Sequence, residues 1–146
     1  MDVTPPTRSS TAGDGPGGLL PLSVDELFQR CMGNVAVATL LLEKFEKQVK
    51  EDLREIEHRL AAMDAGQVAR TAHTLKGAAG AVAAASLRER AAKVEVLARE
   101  NRLDAIAGEL SALRTEVERC LSCLPVARGA LASAARGGGP GTENTP

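Results

Sequence analysis

Aromatic side chains are almost missing from this sequence, which has no Trp, no Tyr and only Phe28 and Phe45. Strands of sandwiches and barrels draw on β-branched and aromatic residues. Modules that grip single-stranded nucleic acid stack bases on aromatic rings. Both classes are disfavoured. An excess of one charge is missing too: 18 Lys and Arg stand against 19 Asp and Glu, for a net charge of −1. No global basic field exists to hold DNA or an anionic membrane. There is no apolar run of about 18 residues, the length a spanning helix needs. Met1 to Pro21 lacks the basic start and apolar stretch of a secretory signal. Three cysteines are an odd number, which fits a reducing compartment better than a disulfide framework. The expectation is a cytoplasmic protein with neither nucleic acid nor membrane as partner.

Proline is missing from 22–124, because all seven prolines fall before or after it. That stretch has the size of one domain of roughly 100 residues. Residues 1–21 and 125–146 are rich in Gly, Pro, Ser and Thr, and Gly137-Gly138-Gly139-Pro140-Gly141 is the clearest case. Such segments bury too little apolar surface to offset the entropy of ordering them, so both read as disordered tails.

What remains is dominated by Ala, Leu, Glu and Arg, which are good helix formers. Ser23-Val24-Asp25-Glu26 has the form of a capping box, and Leu22 with Leu27 that of a hydrophobic staple. A short helix is predicted from Val24 to about Met32, broken by Gly33. Asn34 can cap a long second helix to Met63, with Leu41, Phe45, Val49, Leu53, Ile56, Leu60 and Met63 as one apolar stripe. Asp64 with Gln67 caps a third helix over about 65–83, with Met63 and Val68 as its staple. Ser86-Leu87-Arg88-Glu89 is a further box, opening a fourth helix whose core face is Leu87, Ala91, Val94, Leu97 and Ala98. Leu103, Ile106, Leu110, Leu113, Val117, Leu121 and Leu124 line a fifth, which Pro125 should end. Short connections favour antiparallel neighbours. The expected fold is all-α: an antiparallel up-down four-helix bundle with a short additional N-terminal helix.

Chemistry concentrates on the third helix. Successive side chains turn by about 100°, so Val68, Leu75 and Val82 lie roughly 140–180° from His73. They face the core, and His73 faces out. Lys76 lies one turn on, and Gly77 and Gly80 fall within roughly 40° of the same direction, as does Ala69 one turn before. An interior Gly costs ~1 kcal/mol relative to Ala. Two on an exposed face therefore suggest that a partner comes close. A neutral imidazole is a competent nucleophile, and an ammonium beside it can neutralise an anionic group attached there. The helix carries no carboxylate to act as base and no phosphate-cradling loop. The face can hold a phosphoryl group but has little machinery to move one alone.

His73-Thr74-Leu75-Lys76-Gly77 resembles the His-x-x-Lys-Gly core motif of histidine-containing phosphotransfer (HPt) domains of two-component phosphorelays. Gly33-Asn34, followed by Leu41-Leu42 and Phe45, is similar to the opening of that family's first long helix. The resemblance covers about 22–124. It implies that His73 is the phospho-accepting histidine, that Lys76 balances phosphate charge, and that Gly77 and Gly80 give the phosphodonor access. Arg70 flanks the site, as a partner contact or an ordinary solvated residue. The family often has an Asn eight residues after the His and a Gly ten after; here Ala81 and Ala83 stand there. The implied partners are receiver domains of response regulators or hybrid histidine kinases. Any Mg²⁺ would belong to the receiver's acidic pocket, so no cofactor and no metal of the chain's own is expected.

The resulting reading is a phosphocarrier that accepts a phosphoryl group on His73 from a receiver phospho-aspartate and passes it to another receiver. Two rivals are a receiver-binding helical adaptor that is never phosphorylated, and a plain helical scaffold, which would not need an exposed His among glycines. His58, among Glu55, Glu57 and Arg59, reads as a solvated surface residue. Cys120-Leu121-Ser122-Cys123 lies near a helix C-terminus, whereas a redox pair uses a helix N-terminus. Structural zinc needs four ligands, which Cys31, His58 and His73 are not spaced to complete. Core or boundary cysteines are the better reading.

Overall fold

The computed structural model describes residues 20–137, and among them it has five helices and no strand. They are α1 (Val24–Arg30), α2 (Val35–Ala61), α3 (Ala65–Ala81), α4 (Ala85–Arg99) and α5 (Leu103–Gly137). The four long helices form a ring in which each packs on the next and α5 closes back on α2. Two ion pairs fix the antiparallel sense of that closure. Arg114 reaches Glu57 at 2.5 Å and Arg128 reaches Glu46 at 2.9 Å, so position rises along α5 as it falls along α2.

Three N-caps follow from the sequence. Ser23 Oγ accepts from Glu26 N at 3.1 Å, Asn34 Oδ1 from Val37 N at 3.0 Å, and Asp64 Oδ1 from Gln67 N at 3.2 Å. Each satisfies an amide that has no partner within its helix. The Ser23 box is only half made. Glu26 turns to Arg30 instead of reaching back, and Ser23 N donates to Ala83 O at 3.0 Å. That bond ties the start of α1 to the turn between α3 and α4. Leu22 and Leu27 are both buried, as a staple requires.

Four junctions pass through left-handed backbone at Met32, Met63, Ala83 and Asn101. After Ala83 the chain closes a Schellman turn, with Ala84 N donating to Ala79 O at 2.8 Å. This turn re-enters helix at once. The Ser86 box is therefore corrected: α4 begins at Ala85 with Ala84 at its cap and no side-chain capping bond. α3 likewise stops at Ala81, not near Ala83. Met63 sits at its own turn with 75% exposure, so it neither ends the α2 stripe nor staples Val68.

Two further expectations change. The buried stripe of α2 is Ala38, Leu42, Phe45, Val49, Asp52 and Ile56, with Leu41 and Leu53 half-buried beside it. The helical period runs through a carboxylate that an apolar reading skips. Pro125 does not end α5, which continues to Gly137. A Pro removes one helical hydrogen bond and costs ~3 kcal/mol in a helix interior. Against that cost, the spacing of Val117, Cys120, Leu124, Ala127 and Leu131 keeps one buried face running past the Pro, and Arg128 anchors the extension to Glu46. Residues 125–137 are thus helix and not tail. The N-terminal tail up to residue 19 and the segment 138–146 lie outside the described residues.

Candidate functional site

α3 is a helix of small residues, and that composition sets its place. Val68, Ala72, Leu75 and Ala79 are fully buried at heptad spacing. Ala72 and Ala79 let the axis sit close to its neighbours, with α2 on one flank and α4 on the other. Only one narrow face is left to solvent. His73 stands on it with 64% of its side chain exposed. Gly77 follows on that face, and a Cβ built there would meet no atom within 4 Å.

The group that organises this face comes from α4. Glu95 is 5% exposed, one turn from buried Ala91 and next to buried Val94. Its Oε2 lies 3.0 Å from His73 Nδ1. Its Oε1 lies 2.8 Å from Lys76 Nζ. Arg99, one turn further along α4, brings Nη2 to 2.6 Å and Nε to 3.2 Å of Oε2. The Lys76 ammonium, followed by the Arg99 and His73 hydrogen bonds, outweighs desolvation and holds the Glu95 carboxyl down to about 2. The carboxylate is therefore ionised at neutral pH and can only accept hydrogen bonds. Nδ1 must be the donor, and the ring carries its lone pair on Nε2. An exposed imidazole with a fixed tautomer is able to act as a nucleophile through Nε2.

Other expected site residues fall differently. Arg70 is exposed on the same helix, and its carbonyl accepts from Thr74 Oγ1 at 3.1 Å. Gly80 is half-buried, and a Cβ there would lie 3.5 Å from Arg88 Cδ and Nε. Its carbonyl accepts from Arg30 Nη1. The room over Gly80 is thus used by arginines of α4 and α1. Ala69 is a correction: it is buried, because it lies to the same side of the outward direction as Lys76 and Gly80, which meet Glu95 and Arg88 of α4, whereas Gly77 lies to the open side. It gives no partner access.

Glu95 and Arg99 were not among the expected residues. Sequence spacing does not single out Glu95: it lies about 70° from the centre of the stripe Leu87, Ala91, Val94 and Ala98, as far as exposed Arg90 on the other edge. Its partners are set by the α3–α4 packing, which sequence spacing does not display.

The remaining candidates are bland. His58 is exposed on α2. Cys120 and Cys123 are buried and unbridged. Burial pushes the Cys120 thiol up to about 12 and the Cys123 thiol upward as well, so neither supplies a thiolate at neutral pH. Among the described residues, no group of three or more His, Cys, Asp or Glu is placed to hold a metal ion, and no helix is long and apolar enough to cross a membrane.

No curated protein and no solved structure matches the chain. A family model for the Hpt domain matches residues 40–122, a span that runs from α2 into α5 and contains His73, Lys76, Gly77, Glu95 and Arg99. With an exposed histidine in the middle of a bundle helix and a match over more than half its length, the chain belongs to the Hpt domain family, which serves phosphotransfer in two-component phosphorelays.

Proposed function

We propose that this chain is a phosphorelay intermediate, accepting a phosphoryl group on His73 from a receiver-domain phospho-aspartate and passing it to the aspartate of another receiver. The observation that carries the reading is the 3.0 Å contact between Glu95 Oε2 and His73 Nδ1. It leaves the Nε2 lone pair on the exposed side chain and fixes the ring that bears it. In the transfer, Nε2 forms a bond to phosphorus. The bond from phosphorus to the aspartyl oxygen breaks, and its electron pair leaves with the carboxylate. Nδ1 keeps its proton throughout, because Glu95 is too weak a base to take it. Onward transfer runs the same step in reverse, and the leaving group is then a neutral imidazole.

The chain's contribution is positioning and charge neutralisation. Lys76 supplies a positive charge beside the acceptor, and Gly77 leaves space for the donor's approach. The receiver docks over the outer face of α3. Any metal chemistry stays with the receiver, and the setting is the cytoplasm. An adaptor that is never phosphorylated has no use for a fixed imidazole tautomer.

The test is to incubate the full chain with a phosphorylated receiver and follow acid-labile phosphate. His73→Gln should abolish labelling while leaving helicity and melting nearly unchanged, and His58→Gln should label like wild type. Label that survives in His73→Gln would sink the assignment.

A further inference from the structure

We propose, resting on the reading of His73 as phosphoryl acceptor, that Arg99 is a positioning residue of this site: it is the second cation on Glu95, and it frees Lys76 to leave that carboxylate for an incoming phosphoryl group.

Glu95 carries one negative charge and has two cations on it, Lys76 on Oε1 and Arg99 on Oε2. One cation is enough to balance the carboxylate. The second is the positive charge that the site can offer to a phosphate. The two are not held alike. Arg99 sets two N–H groups on Oε2 from one turn along the same helix. A planar guanidinium anchored at two points is the fixed partner. Lys76 makes its contact through a single ammonium on a flexible stem. It also stands on α3, one turn from His73, where the phosphoryl group arrives.

Without Arg99, moving Lys76 to the phosphate would leave a nearly buried carboxylate facing only the neutral N–H of His73. An ion stripped of its partner in that setting is strongly disfavoured. Lys76 would then be held where it is. With Arg99 in place, Glu95 stays paired after Lys76 moves, and it still accepts from Nδ1. Arg99 itself is 62% exposed and ends α4, so an ordinary surface pair within one helix is the competing explanation.

A double-mutant cycle separates the two. A receiver domain phosphorylated with acetyl phosphate is mixed with wild type, Arg99→Gln, Lys76→Ala, the double variant and Arg99→Lys. Transfer rate, affinity for the unphosphorylated receiver and urea midpoint are measured for each. Arg99→Gln should slow transfer about fivefold, the rate equivalent of one partly screened charge contact, with affinity and midpoint nearly unchanged. Arg99→Lys should recover most of the rate. In the Lys76→Ala background, Arg99→Gln should add less than about a twofold loss, because no ammonium remains to be released. An equal loss in both backgrounds, no loss in wild type, or an affinity loss matching the rate loss overturns the proposal while leaving His73 as acceptor. Wild type that takes no label at all overturns the acceptor reading and this proposal with it.

Discussion

The α3–α4 seam and the α2–α5 face are built from the same kinds of residue. Each pair of helices carries a histidine, an open glycine, arginines on carboxylates and a nearly buried acid, and α5 adds a further one in Glu116, which holds Arg119. On the α2–α5 face the paired carboxylates are themselves partly exposed: Glu57 holds Arg114, and Glu46 holds Arg128 and Lys50. The buried acid of α2, Asp52, is 5% exposed. It accepts only from Gln48 Nε2 at 2.8 Å, and its Oδ2 has no hydrogen-bond partner. Desolvation dominates and lifts its carboxyl to about 6. In the seam, Glu95 is equally buried but holds two cations and an imidazole, and its carboxyl falls to about 2. Burial is the same and the donor sets differ. An acid whose donors come from its own helix alone is a structural oddity. Glu95 is nearly buried and gathers donors from two helices, an exposed imidazole among them, which is the arrangement the proposed acceptor role requires.

The sharpest way to break the comparison is at two of the open glycines. A Cβ at Gly77 or at Gly108 meets nothing within 4 Å, so a side chain can leave the helix at either site without a clash at its root. Gly77→Phe should crowd the imidazole and stop phosphotransfer. Gly108→Phe, on α5, should leave the rate at the wild-type value. If Gly77→Phe is labelled at the normal rate, no partner approaches closely there.

The two acids give the next contrast. Glu95→Gln removes the anion that fixes the tautomer and gathers the cations. Loss of a supporting partner of this kind typically lowers activity about 10- to 100-fold, and transfer should fall within that range. Asp52→Asn should change transfer by less than about twofold, as expected for a residue outside the reacting network. Equal losses would mean that both acids act only through the stability of the bundle.

Their pH responses should oppose each other. The Asp52 carboxyl is raised from 3.8 to about 6, so its contribution is full below 3.8 and is lost as pH rises through about 6. The Glu95 carboxyl is lowered from 4.5 to about 2, so its contribution is full above 4.5 and is lost as pH falls through about 2. Urea midpoints should rise as pH drops from neutrality toward 5, then decline in stronger acid. Asp52→Asn should flatten the upper arm, worth about 1–2 kcal/mol after allowance for screening. Glu95→Gln should weaken the lower arm. An upper arm unchanged in Asp52→Asn would show that the orphaned oxygen is not a liability.

Much of this contrast is legible in the sequence where it depends on one helix. The outward aim of His73 follows from Val68, Leu75 and Val82, and the caps at Ser23, Asn34 and Asp64 follow from local hydrogen bonding. What was not legible depends on two elements meeting. Glu95 gains its role from α3, Pro125 is tolerated because the extended face of α5 continues through Ala127 and Leu131, and Ala84 takes the cap of α4 because a Schellman turn at Ala83 starts the helix before Ser86. Asp52 is the converse case: a helical period read through polar residues finds it on the core stripe, whereas a period read through apolar ones does not.

The smallest expected effect separates backbone from site at the same two glycines. An exposed helical Gly is destabilising relative to Ala by up to ~1 kcal/mol, mostly through the freedom the unfolded chain loses. Because both positions are open, Gly77→Ala and Gly108→Ala should each stabilise by a similar amount, read as equal shifts of the urea midpoint. A methyl group projects far less than a phenyl ring, so Gly77→Ala should keep most of its transfer rate. If both variants gain stability and only Gly77→Ala loses rate, glycine at 77 is explained by contact with the partner even at methyl size. If neither loses rate, the donor's approach tolerates a Cβ and is limited only by larger groups. If Gly77→Ala fails to stabilise while Gly108→Ala does, the backbone at 77 is under a constraint that the open space around it does not reveal, and the close-approach explanation loses its footing.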